Sequence, residues 1–202
     1  MVEIKDKRVG FALCGSFCTF SRAFEQIKRL SETAEVTPVM SFNAGGLDTR
    51  FGTAAGHRRT LRELCGKDII DTIQGAEPIG PMGMFDLLIV APCTGNTLAK
   101  LACGITDTPV TMAVKSHLRR RRPVLLAVAT NDALSASASN IGALMNTKHI
   151  YFVPMGQDDC RGKPTSVVAD FSLLITAAEA ALNGVQLQPL LACAFPPSFK
   201  TE

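Results

Sequence analysis

Four short segments of this 202-residue chain place glycine, hydroxyl or amide side chains directly after an apolar run. They are residues 14–17, 41–44, 91–97 and 129–132. Glycine lets a ligand approach the backbone closely, and hydroxyl groups together with the free amides of a helix N-terminus bind phosphate oxygens. The pattern therefore predicts a mononucleotide site. Its candidate residues are Gly15, Ser16, Phe17, Ser41, Asn43, Pro92, Thr94, Asn96, Thr97, Thr130 and Asn131.

Each segment taken alone has a simpler interpretation. Serine, threonine and asparagine also cap helices, because their side chains accept hydrogen bonds from the first backbone amides. Capping explains any one segment. All four together favour a ligand cleft, since ligands of such folds bind where the carboxyl ends of parallel strands meet.

The rest of the sequence predicts the sheet that these segments require. Apolar runs of strand length occupy residues 9–14, 36–40, 85–91, 123–129 and 149–153. Helices are predicted at 21–31, at 53–65, from 97, from 109, at 132–145 and at 166–182. Residues 69–83 fit an irregular connection with one short edge element. Strands that alternate with helices predict an α/β fold, a three-layer, doubly wound parallel sheet.

The length of the chain predicts one domain rather than two. We expect residues 1–191 to form this single α/β domain. Residues 192–202 lack periodicity and are expected to form a C-terminal tail.

Composition and charge exclude several classes of function. The net charge is only +3, and the four arginines at 119–122 have no aromatic residues among them, so nucleic acid is not expected as a partner. The seven cysteines include no C-x-x-C pair, which predicts reduced thiols and no metal site. No signal peptide or membrane span is predicted, and we expect a cytoplasmic protein.

Two common nucleotide-binding motifs are absent from the sequence. A dinucleotide site needs G-x-G-x-x-G after the first strand and an acidic residue after the second. Gly10 and Gly15 do not have that spacing, and Ser41 and Asn43 follow the second strand. The chain also has no G-x-x-x-x-G-K-[ST] loop.

Residues 91–107 read APCTGNTLAKLACGITD. This segment resembles the A-P-x-(S/T)-x-N-T-(L/I)-A-K-x-A-x-G-I-x-D motif of the flavin-binding decarboxylase superfamily, which includes phosphopantothenoylcysteine decarboxylase. The resemblance implies a flavoprotein fold, FMN as cofactor and a homo-oligomer. It places Ser41 beside the flavin phosphate, and residues 94–97 near the phosphate or the ring.

Four more segments, at 15–20, 48–52, 76–81 and 151–159, resemble the B-subunit family of dipicolinate synthases. This resemblance spans roughly residues 9–190. It implies an oxidoreductase subunit that helps to form dipicolinate, pyridine-2,6-dicarboxylate, from a dihydrodipicolinate-level precursor in the mother cell of a sporulating bacterium. It also implies a partner, the A subunit, which would resemble a dehydrogenase and carry NADP(H).

The sequence departs from the decarboxylases where they carry catalytic residues. His57 lies on a predicted helix beside arginines, and residues 130–134 stand in place of the superfamily's substrate clamp. Two alternatives therefore stay open: an FMN-dependent decarboxylase of a cysteinyl substrate, and a cofactor-free subunit that only stabilises its partner. The sequence identifies no catalytic residue.

A dicarboxylate substrate requires cations, because burying an uncompensated carboxylate is costly. Arg50 is the candidate, since it lies in the polar, glycine-flanked stretch 43–52, although a surface ion pair explains it equally well. Lys115 and His117 lie near a predicted helix end, where contacts with the terminal carbonyls explain them.

Overall fold

The computed structural model describes residues 2–191. Its strands are β1 (Arg8–Leu13), β2 (Glu35–Met40), β3 (Leu87–Cys93), β4 (Val124–Thr130), β5 (Ile150–Phe152), β6 (Met155–Gly156) and β7 (Val167–Ala169). Its helices are α1 (Phe20–Ser31), α2 (Phe42–Gly46), α3 (Ala54–Cys65), α4 (Ile73–Ala76), α5 (Gly95–Ala102), α6 (Pro109–Leu118), α7 (Ala138–Met145) and α8 (Leu174–Leu182). The predicted tail, 192–202, lies outside the described residues.

The central sheet is parallel over β2-β1-β3-β4-β5, in that order. All seven residues of β3 are buried, and a strand covered on both faces has to be apolar throughout. Strand β2 lies on one side of β1, and β3, followed by β4, lies on the other side. The crevice between β1 and β3 is thus the switch point at which ligands bind in such folds. The predicted α/β fold is confirmed.

Alternate side chains of each strand pack on opposite faces of the sheet. Phe11 and Leu13 lie in one apolar cluster, with Ile27 of α1 and side chains of α3 and α8. Ala12 lies in the other cluster, with Leu98 of α5 and side chains of α6 and α7. These two helical layers hold the strand ends of the sheet in fixed positions. Among residues 2–191, no helix has the length and hydropathy that crossing a membrane demands.

The prediction of a single helix over 166–182 is wrong at its start. Val167–Ala169 forms β7, which pairs antiparallel with both β4 and β6. Two β-branched valines favour a strand here. Asp170 then separates the strand from α8, since its carboxylate accepts a 2.9 Å hydrogen bond from the Ser172 amide. The sheet is therefore mixed at this edge, and residues 157–166 form the loop between β6 and β7.

The helix predicted over 132–145 begins later, at Ala138. Asp132 Oδ1 accepts hydrogen bonds from Thr130 Oγ1 at 2.5 Å and from Ser137 Oγ at 3.0 Å. These bonds stabilise turns over 131–137, because a side chain that caps turns competes with a helix.

Two connections differ from their predictions in a smaller way. The irregular stretch 69–83 contains α4 and a 3-10 turn, and its one bridge to the sheet joins Ile70 to Val39. The segment after β2 forms the short helix α2, which was not predicted. It has two glycines among five residues, and glycine is a poor helix former.

Candidate functional site

Two adjoining cavities open at the carboxyl ends of β1 to β4. The first, called the small lobe here, has a volume of about 220 Å³, and its lining includes Gly15, Ser41, Asn43, Thr94, Asn96 and Thr97. The second, the large lobe, has a volume of about 360 Å³, and its lining includes Gly15, Ser16, Phe17, Thr94, Thr130 and Asn131. Because Gly15 and Thr94 border both lobes, the two form one cleft.

Hydroxyl groups of the small lobe cap helices and also border the cavity. Ser41 Oγ accepts a 3.2 Å hydrogen bond from the Ala44 amide at the start of α2. Thr94 Oγ1 accepts a 3.4 Å hydrogen bond from the Thr97 amide at the start of α5. Capping and ligand binding are compatible at Ser41, because a hydroxyl that accepts from an amide keeps its own proton to donate. The Thr94 hydroxyl instead lies 3.2 Å from the Thr97 hydroxyl and donates to it.

Cys14 also lines the small lobe, with a buried thiol. Burial raises the pKa of this thiol to about 11, and the Thr97 hydroxyl donates a 3.2 Å hydrogen bond to its sulfur. A thiol with this pKa stays protonated at neutral pH, whereas only the thiolate is a nucleophile. Cys14 therefore contributes packing and a hydrogen bond rather than covalent chemistry.

An ion pair that was not predicted borders the small lobe. Lys100 Nζ donates to both carboxylate oxygens of Asp107, each at 2.8 Å, and both residues line the cavity. The pair adds no net charge. The hydroxyl and amide donors of the lobe are thus the groups left to bind an anion.

The large lobe presents rings and charges instead. Phe17 and Phe51 contribute aromatic rings, while Arg22 and Lys163 contribute cations. Asp158 lines the same cavity, and its Oδ2 lies 3.4 Å from Lys163 Nζ. Neither cation was predicted from the sequence, because Arg22 belongs to an ordinary amphipathic helix and Lys163 to a polar loop.

Thr130 and Asn131 border the large lobe with side chains that already have partners. Thr130 Oγ1 donates to Asp132 Oδ1, and Asn131 Oδ1 accepts a 3.4 Å hydrogen bond from Ser166 Oγ. The Asn131 carbonyl accepts a 2.6 Å hydrogen bond from the Thr165 hydroxyl. These bonds attach the loop between β6 and β7 to the end of β4, so the two residues hold the wall of the lobe.

Residues 2–175 match the sequence model of the flavoprotein family. The chain belongs to this family. It is 47% identical over 192 residues to the B subunit of dipicolinate synthase from Bacillus subtilis (strain 168), and the match covers 95% of this chain and 96% of that protein. The resemblances seen in the sequence are therefore confirmed.

Solved structures agree with the flavoprotein assignment. The B subunit of dipicolinate synthase from Bacillus halodurans C is similar with a TM-score of 0.87 and 41% identity, over 96% of this chain and 100% of that chain. The FMN-dependent cysteine decarboxylase SpaF has a TM-score of 0.62 and 18% identity, over 89% of this chain and 98% of that chain. The second similarity shows the fold alone.

The cleft of this flavoprotein-family chain has donors that suit FMN. The Ser41 hydroxyl and the first backbone amides of α5, which have no intrahelical acceptor, provide neutral donors for a phosphate in the small lobe. Phe17 provides an aromatic surface for a flat ring in the large lobe. The residues present therefore fit this cofactor.

Two of the predicted residues do not line the cleft. Pro92 is buried within β3, where its carbonyl accepts a 3.2 Å hydrogen bond from the Cys14 amide. Arg50 is exposed, and its guanidinium carbon lies 4.8 Å from the centroid of the Phe51 ring. Arg50 thus reaches the cleft only through that ring, and its role in substrate binding stays a prediction.

The turn that carries Arg50 and Phe51 packs against His57. Thr49 and Gly52 close this turn with reciprocal backbone hydrogen bonds of 3.0 and 3.1 Å. Gly52 has a φ of +134°, and a Cβ atom there would lie 2.7 Å from His57 Cε1. Only glycine adopts this conformation readily and leaves room for the imidazole.

His57 lies on α3, as predicted, but lines neither lobe. Its ring packs against Phe20 at a centroid distance of 4.9 Å and against Phe24 at 5.7 Å. Burial lowers the pKa of this histidine, and among residues 2–191 its Nε2 has no hydrogen-bond partner. The neutral ring therefore supports the Thr49–Gly52 turn.

Lys115 and His117 lie on α6, away from the cleft. His117 is buried, and its Nε2 lies 3.1 Å from the Pro123 carbonyl, to which it donates. Burial lowers the pKa of His117 to about 4. The imidazole is thus neutral and joins α6 to the start of β4.

Proposed function

We propose that this chain is the B subunit of a dipicolinate synthase, and that it acts with an A subunit to form pyridine-2,6-dicarboxylate from a dihydrodipicolinate-level precursor. The observation that carries the proposal is the 47% identity to the Bacillus subtilis protein, which extends over 95% of this chain and 96% of that protein. The cleft agrees with it, because a switch-point crevice lined by hydroxyls, rings and cations suits a small anionic ring.

The proposal includes FMN as a ligand of the cleft. The Ser41 hydroxyl and the first backbone amides of α5, which Thr94 caps, bind the phosphate, and Phe17 packs against the ring. When bound, the flavin supplies a two-electron acceptor, which is what oxidation of a dihydropyridine ring requires. Asn43 and Asn96, which line the small lobe, donate further hydrogen bonds.

The proposal also assigns NADP(H) to the A subunit and the class of oxidoreductase to the assembly. The absence of a dinucleotide fingerprint from this chain supports that division of labour. Residues 1–191 act as one domain, the chain self-associates, and the pair works in the cytoplasm of the mother cell of a sporulating bacterium.

Decarboxylation of a cysteinyl substrate is not favoured. The decarboxylase SpaF is only 18% identical to this chain. His57, the histidine compared with the catalytic histidine of the decarboxylases, lines neither lobe and packs among phenylalanines. A cofactor-free subunit is likewise not favoured, because the cleft keeps its donors.

Reconstitution tests the proposed function. The full chain is mixed with the A subunit, the precursor and NADP, with and without FMN, and dipicolinate formation is measured. We expect the chain to raise the rate above that of the A subunit alone, and flavin absorbance bands to stay with this chain after free FMN is removed by gel filtration. No rise in rate contradicts the subunit assignment, and a colourless chain that still raises the rate contradicts the flavin.

A further inference from the structure

The large lobe is the part of the cleft in which cations lie beside aromatic rings. We infer that Arg22 and Lys163 bind the two carboxylates of a flat dicarboxylate whose ring packs against Phe51, while Phe17 packs against the flavin ring. This inference rests on the proposed function and adds to it the residues that recognise the substrate. In this arrangement Arg50, the residue predicted from the sequence, does not contact the dicarboxylate directly.

Arg22 is held in place without using its hydrogen-bond donors. Its guanidinium carbon lies 5.4 Å from the centroid of the Phe171 ring, above the ring face. None of the ion pairs within residues 2–191 includes Arg22. A guanidinium stacked on a ring keeps its in-plane N–H groups free, and two of them bind a carboxylate as a fork. Arg22 therefore has N–H donors available for one carboxylate.

Lys163 reaches the same lobe from the loop between β6 and β7, and it already has an anionic neighbour. Its Nζ lies 3.4 Å from Asp158 Oδ2. The Ser166 hydroxyl, and to a smaller degree Lys163, lower the pKa of the Asp158 carboxyl, so this group is ionised at neutral pH. A second ligand carboxylate binds Lys163 in competition with Asp158. Asp158 therefore weakens the binding of a dicarboxylate, which favours release of the product.

Charge separates the large lobe from the small one. Arg22, Lys163 and Asp158 together leave a charge of +1 in the large lobe. In the small lobe, Lys100 and Asp107 cancel each other. A dicarboxylate therefore prefers the large lobe.

Calorimetry on the full chain tests this assignment, with pyridine-2,6-dicarboxylate and pyridine-2-carboxylate as probes. Arg22→Gln and Lys163→Gln remove one cation each. The matched controls are Lys28→Gln on α1 and Arg161→Gln on the same loop, both exposed and absent from the cleft lining. Circular dichroism confirms that each variant is folded.

We expect the wild-type chain to bind the dicarboxylate more tightly than the monocarboxylate. Each cation variant should lose about tenfold or more in affinity for the dicarboxylate, and its preference over the monocarboxylate should shrink. The controls should bind as the wild type does. Asp158→Asn should bind the dicarboxylate more tightly, since it frees Lys163.

Several results overturn the assignment: a wild-type chain that does not bind the dicarboxylate, cation variants that bind it as the wild type does, or an Asp158→Asn variant that binds it more weakly. Such results in a chain that supports dipicolinate synthesis with the A subunit leave the proposed function intact. A chain that binds the dicarboxylate through both cations but gives no synthesis counts against the proposed function alone.

Discussion

The hydroxyl of Thr97 donates a 3.2 Å hydrogen bond to the sulfur of Cys14, and the bond is buried. It joins the first turn of α5 to the end of β1. Since the amide of Thr97 also donates to Thr94 Oγ1, one threonine fixes the wall of the small lobe at two points. The position of the first backbone amides of α5, and with it the proposed phosphate site, depends on this residue.

Thr97→Val retains the shape of the side chain but removes the hydroxyl. We expect a loss of about 1 kcal/mol in the free energy of unfolding and weaker FMN binding, both measured on the purified chain by urea titration and by flavin absorbance. Thr97→Ser is the control, because it restores the donor to Cys14. Equal behaviour of the valine and serine variants would contradict the role given to the hydroxyl.

Gly52→Ala places a Cβ atom where the turn has a φ of +134° and where His57 Cε1 is 2.7 Å away. We expect a loss of about 1–3 kcal/mol in the free energy of unfolding, from backbone strain at this position. Gly142→Ala is the control, because nothing lies within 4 Å of its Cβ position inside α7. It should gain about 0.5–1 kcal/mol. Equal stability of Gly52→Ala and the wild type would mean that the turn moves freely off His57.

His117 should make the fold sensitive to acid. Its pKa in the folded chain is about 4, against an ordinary value of 6.5, so below pH 6.5 the unfolded chain binds more protons. Stability contributed by the neutral ring is complete above pH 6.5 and is lost as the pH falls towards 4. A shift of this size corresponds to about 3 kcal/mol.

Urea titrations of wild type and His117→Gln at a series of pH values measure this loss. The glutamine amide can donate to the Pro123 carbonyl without titrating, so its curve should be flatter between pH 6.5 and 4. His149→Asn is the control, because it leaves His117 in place and should retain the slope. Parallel curves for wild type and His117→Gln would show that another group causes the acid loss.

Gly80→Ala should destabilise the fold through a steric clash with α6. A Cβ atom at Gly80 would lie 2.0 Å from the Ser116 carbonyl oxygen, and the Gly80 amide donates a 2.7 Å hydrogen bond to Ser116 Oγ. Because both neighbours are fixed on α6, we expect a loss of about 2–3 kcal/mol, measured by urea titration. Gly46→Ala, with nothing within 4 Å, is the control. A Gly80→Ala chain as stable as this control would mean that α6 shifts to make room.

The strands of the parallel sheet could be predicted because each contains a short, mostly apolar run, which is clearest in β3. The strand β7 could not be predicted from the sequence. Its three residues run into the helical pattern of α8 without a break in hydrophobicity, and its pairing with Ala129 and Thr130 joins residues far apart in the chain. Local patterns carry no information about such a contact.

Some residues of the candidate cleft could also be predicted from the sequence, and others could not. Gly15 and Thr94 could be placed from the sequence, because each follows a buried strand and the ends of parallel strands meet. Arg22 and Lys163 could not, because their approach to one cavity depends on how α1 and the loop between β6 and β7 pack. Pro92 fits the motif of residues 91–107, yet it lies within the strand rather than at its end.

On the edge away from β3, strand β4 pairs with two different strands: parallel β5 beside Val124 to Leu126, and antiparallel β7 beside Ala129 and Thr130. The antiparallel neighbour brings residues 157–166 over the large lobe, outside the parallel core. We therefore expect that changes of length or sequence within residues 157–164, which leave the bonds from Thr165 and Ser166 to Asn131 in place, do not alter the register of the central strands. Natural variation or grafting of this loop should then alter ligand preference without redesign of the scaffold.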